Sequence, residues 1–315
     1  MSNLWLGAIL PFMLIGPLHS EADQQAVSPD LSNPETETLA IEEDRNRRYT
    51  IPVTIQGVGP FDFMIDTGSQ ATAVTYHVTD RLPFESLGKA TLVGMASRRT
   101  VDLVELDNLR IGNQVIHNVA APVLEKEHVG AEGIIGLDSL QDFRVLLDFR
   151  NETITVEDVS SKSSRRGYEI IVRARHKLGQ LLITDALVDG VKTVVIIDTG
   201  AQASMGNIAL REKIRARREH EVETMDVNGV KLMANYFLAR SLEIQGMELT
   251  DVPITYADTP AFEALGLQDT PVLSLGMEHL KLFDRISIDF SNSRIMFDLP
   301  GRKRWRSSDA TASRM

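Results

Sequence analysis

A ten-residue block returns almost intact within this chain. Phe63-Met64-Ile65-Asp66-Thr67-Gly68-Ser69-Gln70-Ala71-Thr72 reappears 132 residues later as Val195-Ile196-Ile197-Asp198-Thr199-Gly200-Ala201-Gln202-Ala203-Ser204. Two further blocks recur in the same order at slightly longer offsets. Leu109-Arg110-Ile111 followed by Asn118-Val119 returns as Leu242-Glu243-Ile244 followed by Asp251-Val252, and Leu147-Asp148-Phe149-Arg150-Asn151 followed by Ile154 returns as Ile288-Asp289-Phe290-Ser291-Asn292 followed by Ile295. Three ordered repeats make the chain a duplicated domain with loop insertions in the second copy. Its 315 residues suit two folded units.

The repeats set the boundaries: a first lobe over 49–158, a Ser- and Arg-rich linker over 159–166, a second lobe over 167–298 and a basic tail over 299–315. Residues 21–48 are rich in Glu, Ser, Pro and Gln and bury too little apolar surface to offset their ordering entropy, so they read as a disordered linker. Residues 1–20 form an apolar run without Lys or Arg before it and with Pro11 and Pro17 inside it. That run is shorter than a membrane-spanning helix needs, and small residues at Ser20 and Ala22 give a peptidase a place to cut. A cleaved signal peptide, an uncleaved anchor and a buried segment are the open readings. The first two make the protein exported, periplasmic or secreted, or held at a membrane by this segment.

Within each copy the pattern is strands and turns, so the fold class is mainly β. Tyr49 to Ile55 alternates, Gly57, Gly59 and Pro60 interrupt it, and Phe61 to Ile65 has the length of a buried strand. Two hairpins are expected over Ala90 to Glu105 and Glu221 to Phe237, the second around an Asn228-Gly229 turn signal. The clearest helical stretch, Ile208 to Glu221, is crowded with Arg, Lys and Glu and reads as a solvated helix.

The two Asp-Thr-Gly triplets carry the chemistry. Each follows a buried-strand pattern, so each carboxylate stands at a strand end, where Gly allows a tight turn and backbone N–H groups can point at the charge. A twice-repeated structural turn is the bland alternative, but a turn does not require an acid at a buried-strand exit in both halves.

These triplets, with the later segments Ile134-Ile135-Gly136-Leu137-Asp138-Ser139-Leu140 and Leu275-Gly276-Met277-Glu278-His279-Leu280, make residues 49 to 298 resemble the retropepsin-like aspartic proteases. Specifically, the chain is similar to a single-chain form with two tandem barrel lobes forming a pseudo-two-fold pair. The signal-like start resembles the envelope-exported bacterial branch more than a viral enzyme. The resemblance implies Asp66 and Asp198 as the catalytic dyad, supported by the loops Thr67, Gly68, Ser69 and Thr199, Gly200, Ala201. It implies that Thr67 and Thr199 hydrogen-bond across the lobe junction, and that Gly136 and Gly276 complete psi-shaped strand crossings beneath the aspartates. It also implies flap-like hairpins with tips at Gly94-Met95 and Asn228-Gly229, for which plain surface hairpins are the alternative. The substrate would be a protein or peptide, no cofactor or metal would be needed, and a monomer would hold both lobes in cis.

Several positions depart from the family's pattern. Ser274 stands where the first lobe has Ile134, leaving the second apolar pair incomplete. Gln70 and Gln202 replace an aspartate that braces the dimer in retroviral members. Asp138 and Glu278 read as helix-start caps. Ser69 against Ala201 is the one chemical difference between the catalytic loops, and a Ser69 hydroxyl donating to the nearby carboxylate would make the dyad asymmetric.

Composition narrows the alternatives. A formal charge of -11 disfavours nucleic acid, whose affinity comes from Lys and Arg on phosphates. With no cysteine there is no disulfide, thiolate metal site or cysteine nucleophile. The seven histidines lack metal-ligand spacing, and no phosphate loop or Gly-x-Ser-x-Gly elbow occurs. Two rival functions remain: a non-proteolytic peptide-binding module of the cell envelope, and a carboxylate-pair glycosidase, whose acids would stand farther apart.

Overall fold

The computed structural model describes residues 13–15, 38–40, 42–43, 49–158, 168–214 and 219–300. The linker expected over 159–166 and the tail from Gly301 onward lie outside the described residues, as do most of 1–20 and 21–48. Within the apolar N-terminal run, Met13–Ile15 is a strand paired antiparallel with Thr91 to Val93. Among the described residues no helix is long and apolar enough to cross a membrane.

The chain is mainly β, in three sheets. An eleven-stranded sheet joins nine strands of the first repeat with Met13–Ile15 and Glu42–Glu43, and an eight-stranded sheet belongs to the second repeat. Each curls into a barrel-like lobe. The six-stranded third sheet is shared, because Phe143–Asp148 of the first lobe pairs antiparallel with Arg285–Asp289 of the second. This is where the third repeated block goes. Each copy forms a hairpin, Phe143–Asp148 with Thr153–Asp158 and Arg285–Asp289 with Arg294–Asp298, and the two hairpins zip side by side. Each turn is fastened by its aspartate: Asp148 Oδ1 accepts from the Arg150 and Asn151 amides, and Asp289 Oδ1 from the Asn292 amide.

Local chemistry explains the turns within each lobe. Tyr49–Ile55 and Val58–Ile65 meet through Gln56-Gly57, both at positive φ, and Gln180–Val188 meets Val191–Ile197 through Asp189-Gly190 in the same conformation. Two central residues at positive φ match the strands' right-handed twist, which is why a glycine sits in each pair. Asn118 and Asp251, matched in the second repeated block, also share a left-handed conformation, with φ of 56° and 55°. Asn and Asp tolerate it better than other side chains.

One buried cluster runs from Phe61 and Phe63 in the first lobe, through Val145, Leu147, Ile286 and Ile288 of the shared sheet, to Val195 and Ile197 in the second. The lobes therefore share a core and are fixed to one another. The solvated helix expected over Ile208 to Glu221 is shorter: Ile208–Lys213 is helical, with Asn207 Oδ1 accepting from the Leu210 amide, and His220–Met225 is already strand. The helix stops at Lys213, where Ile214 is extended, and residues 215–218 lie outside the described residues.

Candidate active site

The Asp-Thr-Gly loops emerge from strands Val58–Ile65 and Val191–Ile197 and meet at the lobe junction. Their threonines cross-link them reciprocally. Thr67 N donates to Thr199 Oγ1 at 3.0 Å and Thr199 N to Thr67 Oγ1 at 3.2 Å. Each hydroxyl in turn donates to a carbonyl of the other lobe, Thr67 Oγ1 to Ile197 O at 2.8 Å and Thr199 Oγ1 to Ile65 O at 2.7 Å. All four bonds are buried, so neither loop can shift without stranding polar groups of the other.

The two carboxylates lie at the centre, both fully buried. Asp66 Oδ1 accepts from the amides of Gly68 and Ser69, and Asp198 Oδ1 from those of Gly200 and Ala201. Each glycine allows the opposite acid to approach. A Cβ on Gly200 would stand 2.2 Å from Asp66 Cγ, and one on Gly68 2.7 Å from Asp198 Cγ. Burial, and then the neighbouring Asp66 carboxylate, push the Asp198 pKa well above the ordinary carboxylate value, against hydrogen bonds from Ser274 and the loop amides.

Behind each loop runs the glycine segment, bonded in the same way in both lobes. Asp66 N donates to Ile135 O and Leu137 N to Ser69 O; Asp198 N donates to Leu275 O and Met277 N to Ala201 O. A Cβ on Gly136 would meet Ala71 at 2.3 Å, and one on Gly276 would meet the Ala203 carbonyl at 2.5 Å, so only glycine fits either crossing.

A scan against known families matches the aspartyl protease model over residues 51–139 and 184–279, one segment in each lobe. The chain belongs to the retropepsin-like aspartyl protease family. Both matched segments contain the catalytic loop, the hairpin and the glycine segment of their lobe. Separately, 164 residues are 28% identical to the carbamoyl phosphate synthase arginine-specific large chain of Bacillus subtilis, taking in 48% of this chain and 14% of that protein. The chain thus spans about a seventh of that relative's length, and the likeness carries no statement about activity.

Several features of this aspartyl protease site differ from the sequence expectation. The Ser69 hydroxyl does not serve its aspartate: it donates to Ala71 O at 2.7 Å. The donor comes instead from Ser274, the position read as a gap in the apolar pair, whose Oγ donates to Asp198 Oδ2 at 2.6 Å. The dyad is asymmetric, but the additional donor sits on the second lobe. A polar residue in an otherwise apolar buried strand was the available signal, since a buried hydroxyl needs a partner.

Asp138 and Glu278 do not cap their helices, neither of which has a side-chain cap. Asp138 accepts from the Thr72 amide and hydroxyl, tying the glycine segment to the far side of the catalytic loop. Desolvation there raises its pKa against those bonds, although it opens on one side into a cavity of about 560 Å³ shared with Gln70, Gln141 and Leu178. The second lobe replaces that tie with Ser204 bonded to His279 Nδ1 at 2.7 Å, and burial pushes the His279 pKa down to about 4.

The glutamines are braces after all, on one side. Gln70 donates to Leu178 O across the junction, and buried Gln180, which carried no motif, donates to Gly68 O on the catalytic loop. Among the described residues no group of three or more His, Asp or Glu is placed to hold a metal.

The expected hairpins are Glu85–Val93 with Arg98–Leu106, and His220–Met225 with Lys231–Ile244. Gly94, Met95, Asn228 and Gly229 lie in their connecting turns. In the second, Asn228-Gly229 is part of a longer turn whose shape comes from Asp226, which accepts from the Asn228 and Val230 amides. The two turns touch each other, and the aspartates beneath are closed off from solvent.

Proposed function

We propose that the chain is an aspartic endopeptidase, hydrolysing peptide bonds of protein substrates through a water activated by Asp66 and Asp198. The observation that carries this reading is the reciprocal threonine pairing, which holds two buried carboxylates against each other's loop glycines. Two such groups cannot both ionise cheaply, so the pair shares one proton near neutral pH. The raised pKa of Asp198 keeps the proton there, although the Ser274 hydroxyl offsets part of that rise. In this assignment Asp66 accepts a proton from the attacking water while protonated Asp198 polarises the scissile carbonyl. The tetrahedral intermediate collapses as a proton passes to the leaving amide nitrogen and the C–N bond breaks.

We further take the active form to be a monomer, since both acids reside on one chain, and take the apolar run at residues 1–20 as an export signal or anchor placing the enzyme outside the cytoplasm. Full burial of the dyad supports a second reading, a peptide-binding module that does not cleave. Incubation with a diverse peptide mixture, with and without pepstatin, separates the two. The protease reading expects pepstatin-sensitive cleavage that Asp66→Asn and Asp198→Asn each abolish. Retention of more than about a tenth of wild-type turnover by either folded variant overturns the dyad.

A further inference from the structure

We propose that Asp226 is a positioning residue that joins the two hairpins into a single lid over the dyad. Its carboxylate is 1% exposed and serves both lobes at once. Oδ1 shapes its own turn, accepting from the Asn228 and Val230 amides at 3.0 Å each. Oδ2 reaches the first hairpin, accepting from Ser97 Oγ at 2.7 Å and from the Ala96 amide at 3.2 Å. The approach depends on a glycine, because a Cβ on Gly94 would stand 2.6 Å from Asp226 Oδ2. Asn228 Nδ2 donates to the same Ser97 hydroxyl at 2.9 Å, and Arg99 Nη1 donates to the Asn228 carbonyl at 3.4 Å.

The apolar residues beside this joint cross over. Met95 of the first hairpin is buried in a cluster with Ala201, Met205 and Phe262 of the second lobe. Val227 of the second hairpin is buried in a cluster with Met64, Ala71 and Val129 of the first. Ala201 belongs to the second catalytic loop and Ala71 lies two residues beyond Ser69 of the first, so each tip shares a buried cluster with the loop region of the opposite lobe. Gly229 also lies against the His128 ring of the first lobe.

The joint is lopsided: one carboxylate on the second hairpin gathers donors from the first. A hydrogen-bonded charge so placed is costly to expose to a partnerless interior and easy to satisfy in the closed arrangement. Releasing either tip therefore breaks the bonds of both, and the hairpins open and close together. Asp226 sets how often the dyad becomes accessible and how firmly the lid closes on a bound peptide. Only the second of these effects rests on the protease reading.

The absence of native cysteine makes the lid directly measurable. In the full chain, Met95→Cys provides a single thiol buried at the tip of the first hairpin, and Ala186→Cys, in a separate variant, provides a single thiol in the second-lobe core, where Ala186 is 0% exposed. Maleimide labelling of each is timed with and without Asp226→Ala, and again with Ser97→Ala. The expected result is slow labelling of the thiol at 95, accelerated about tenfold or more by either lid substitution, with the thiol at 186 unaffected and Asp226→Asn intermediate. Equal labelling of the thiol at 95 with and without Asp226→Ala overturns the proposal, and so does equal acceleration at 186, which would mean global loosening. In a peptide assay Asp226→Ala lowers kcat more than it changes KM. A lid that responds as expected in a chain that cleaves nothing would sink the protease reading and leave this one standing.

Discussion

Replacing Ser274 by Ala removes a side-chain donor from Asp198. Its 2.6 Å bond to Asp198 Oδ2 is buried, and a hydrogen bond to a charged group is worth about 1.5–3 kcal/mol. The bond favours the ionised form of Asp198, so its loss raises the pKa at which the pair gives up its second proton, the one held on Asp198. At about 1.4 kcal/mol per pH unit, the full effect is roughly one to two units, and because the pair titrates together about one unit is expected. The basic limb of kcat/KM against pH should thus move upward in Ser274→Ala while the acid limb stays in place. Ser69→Ala is the control, since that hydroxyl is spent on Ala71 O, and its basic limb should coincide with wild type. Profiles on one peptide, with thermal melts to confirm folding, decide the matter. A Ser274→Ala limb that coincides with wild type or moves to lower pH, or a Ser69→Ala limb that moves as far as Ser274→Ala, would refute this assignment of the asymmetry.

Three further outcomes follow from the same contacts. Asp198→Asn should raise the melting temperature at pH 7 while abolishing cleavage: the folded pKa of Asp198 lies above its unfolded value, so wild type loses stability as pH rises between the two. The gain should vanish near pH 3 in parallel calorimetric scans, and destabilisation at both pH values would contradict it. His279 has the opposite sign. With its folded pKa near 4 against about 6.5 unfolded, stability is lost as pH falls through that window, by up to about 3 kcal/mol, and urea melts of His279→Gln should show a flatter dependence than wild type. Thr199→Val deletes the acceptor of the Thr67 amide and the donor to Ile65 O together, which should cost about 2–4 kcal/mol in urea denaturation, whereas Thr199→Ser should recover most of it.

The duplication, the mainly β class and the two Asp-Thr-Gly loops were legible in the residues because they are local. An apolar strand followed by Asp-Thr-Gly specifies a strand, a tight turn and an acid on its exit, whatever packs against it, and writing the pattern twice doubles the signal. The glycine segments were legible for a related reason: no other residue fits where Gly136 and Gly276 cross the catalytic loops, so their spacing survives in both copies. Partners of polar side chains were not legible. Ser69 and Ser274 are equally plausible donors on paper, and only the packing of Val272–Leu275 beside Val191–Ile197 carries the Ser274 hydroxyl to Asp198 while the loop's own turn draws Ser69 to Ala71. Asp138 looked like a cap because caps are local, yet its bonds go to Thr72, 66 residues earlier in the chain. The sheet shared by the lobes and the joint at Asp226 depend on residues more than a hundred positions apart. The sequence alone determined which backbone segments bear the acids. The tertiary fold decided which side chains tune and cover them, because a hydrogen bond is fixed by where two chain segments end in space, and periodicity along one segment carries no record of the other.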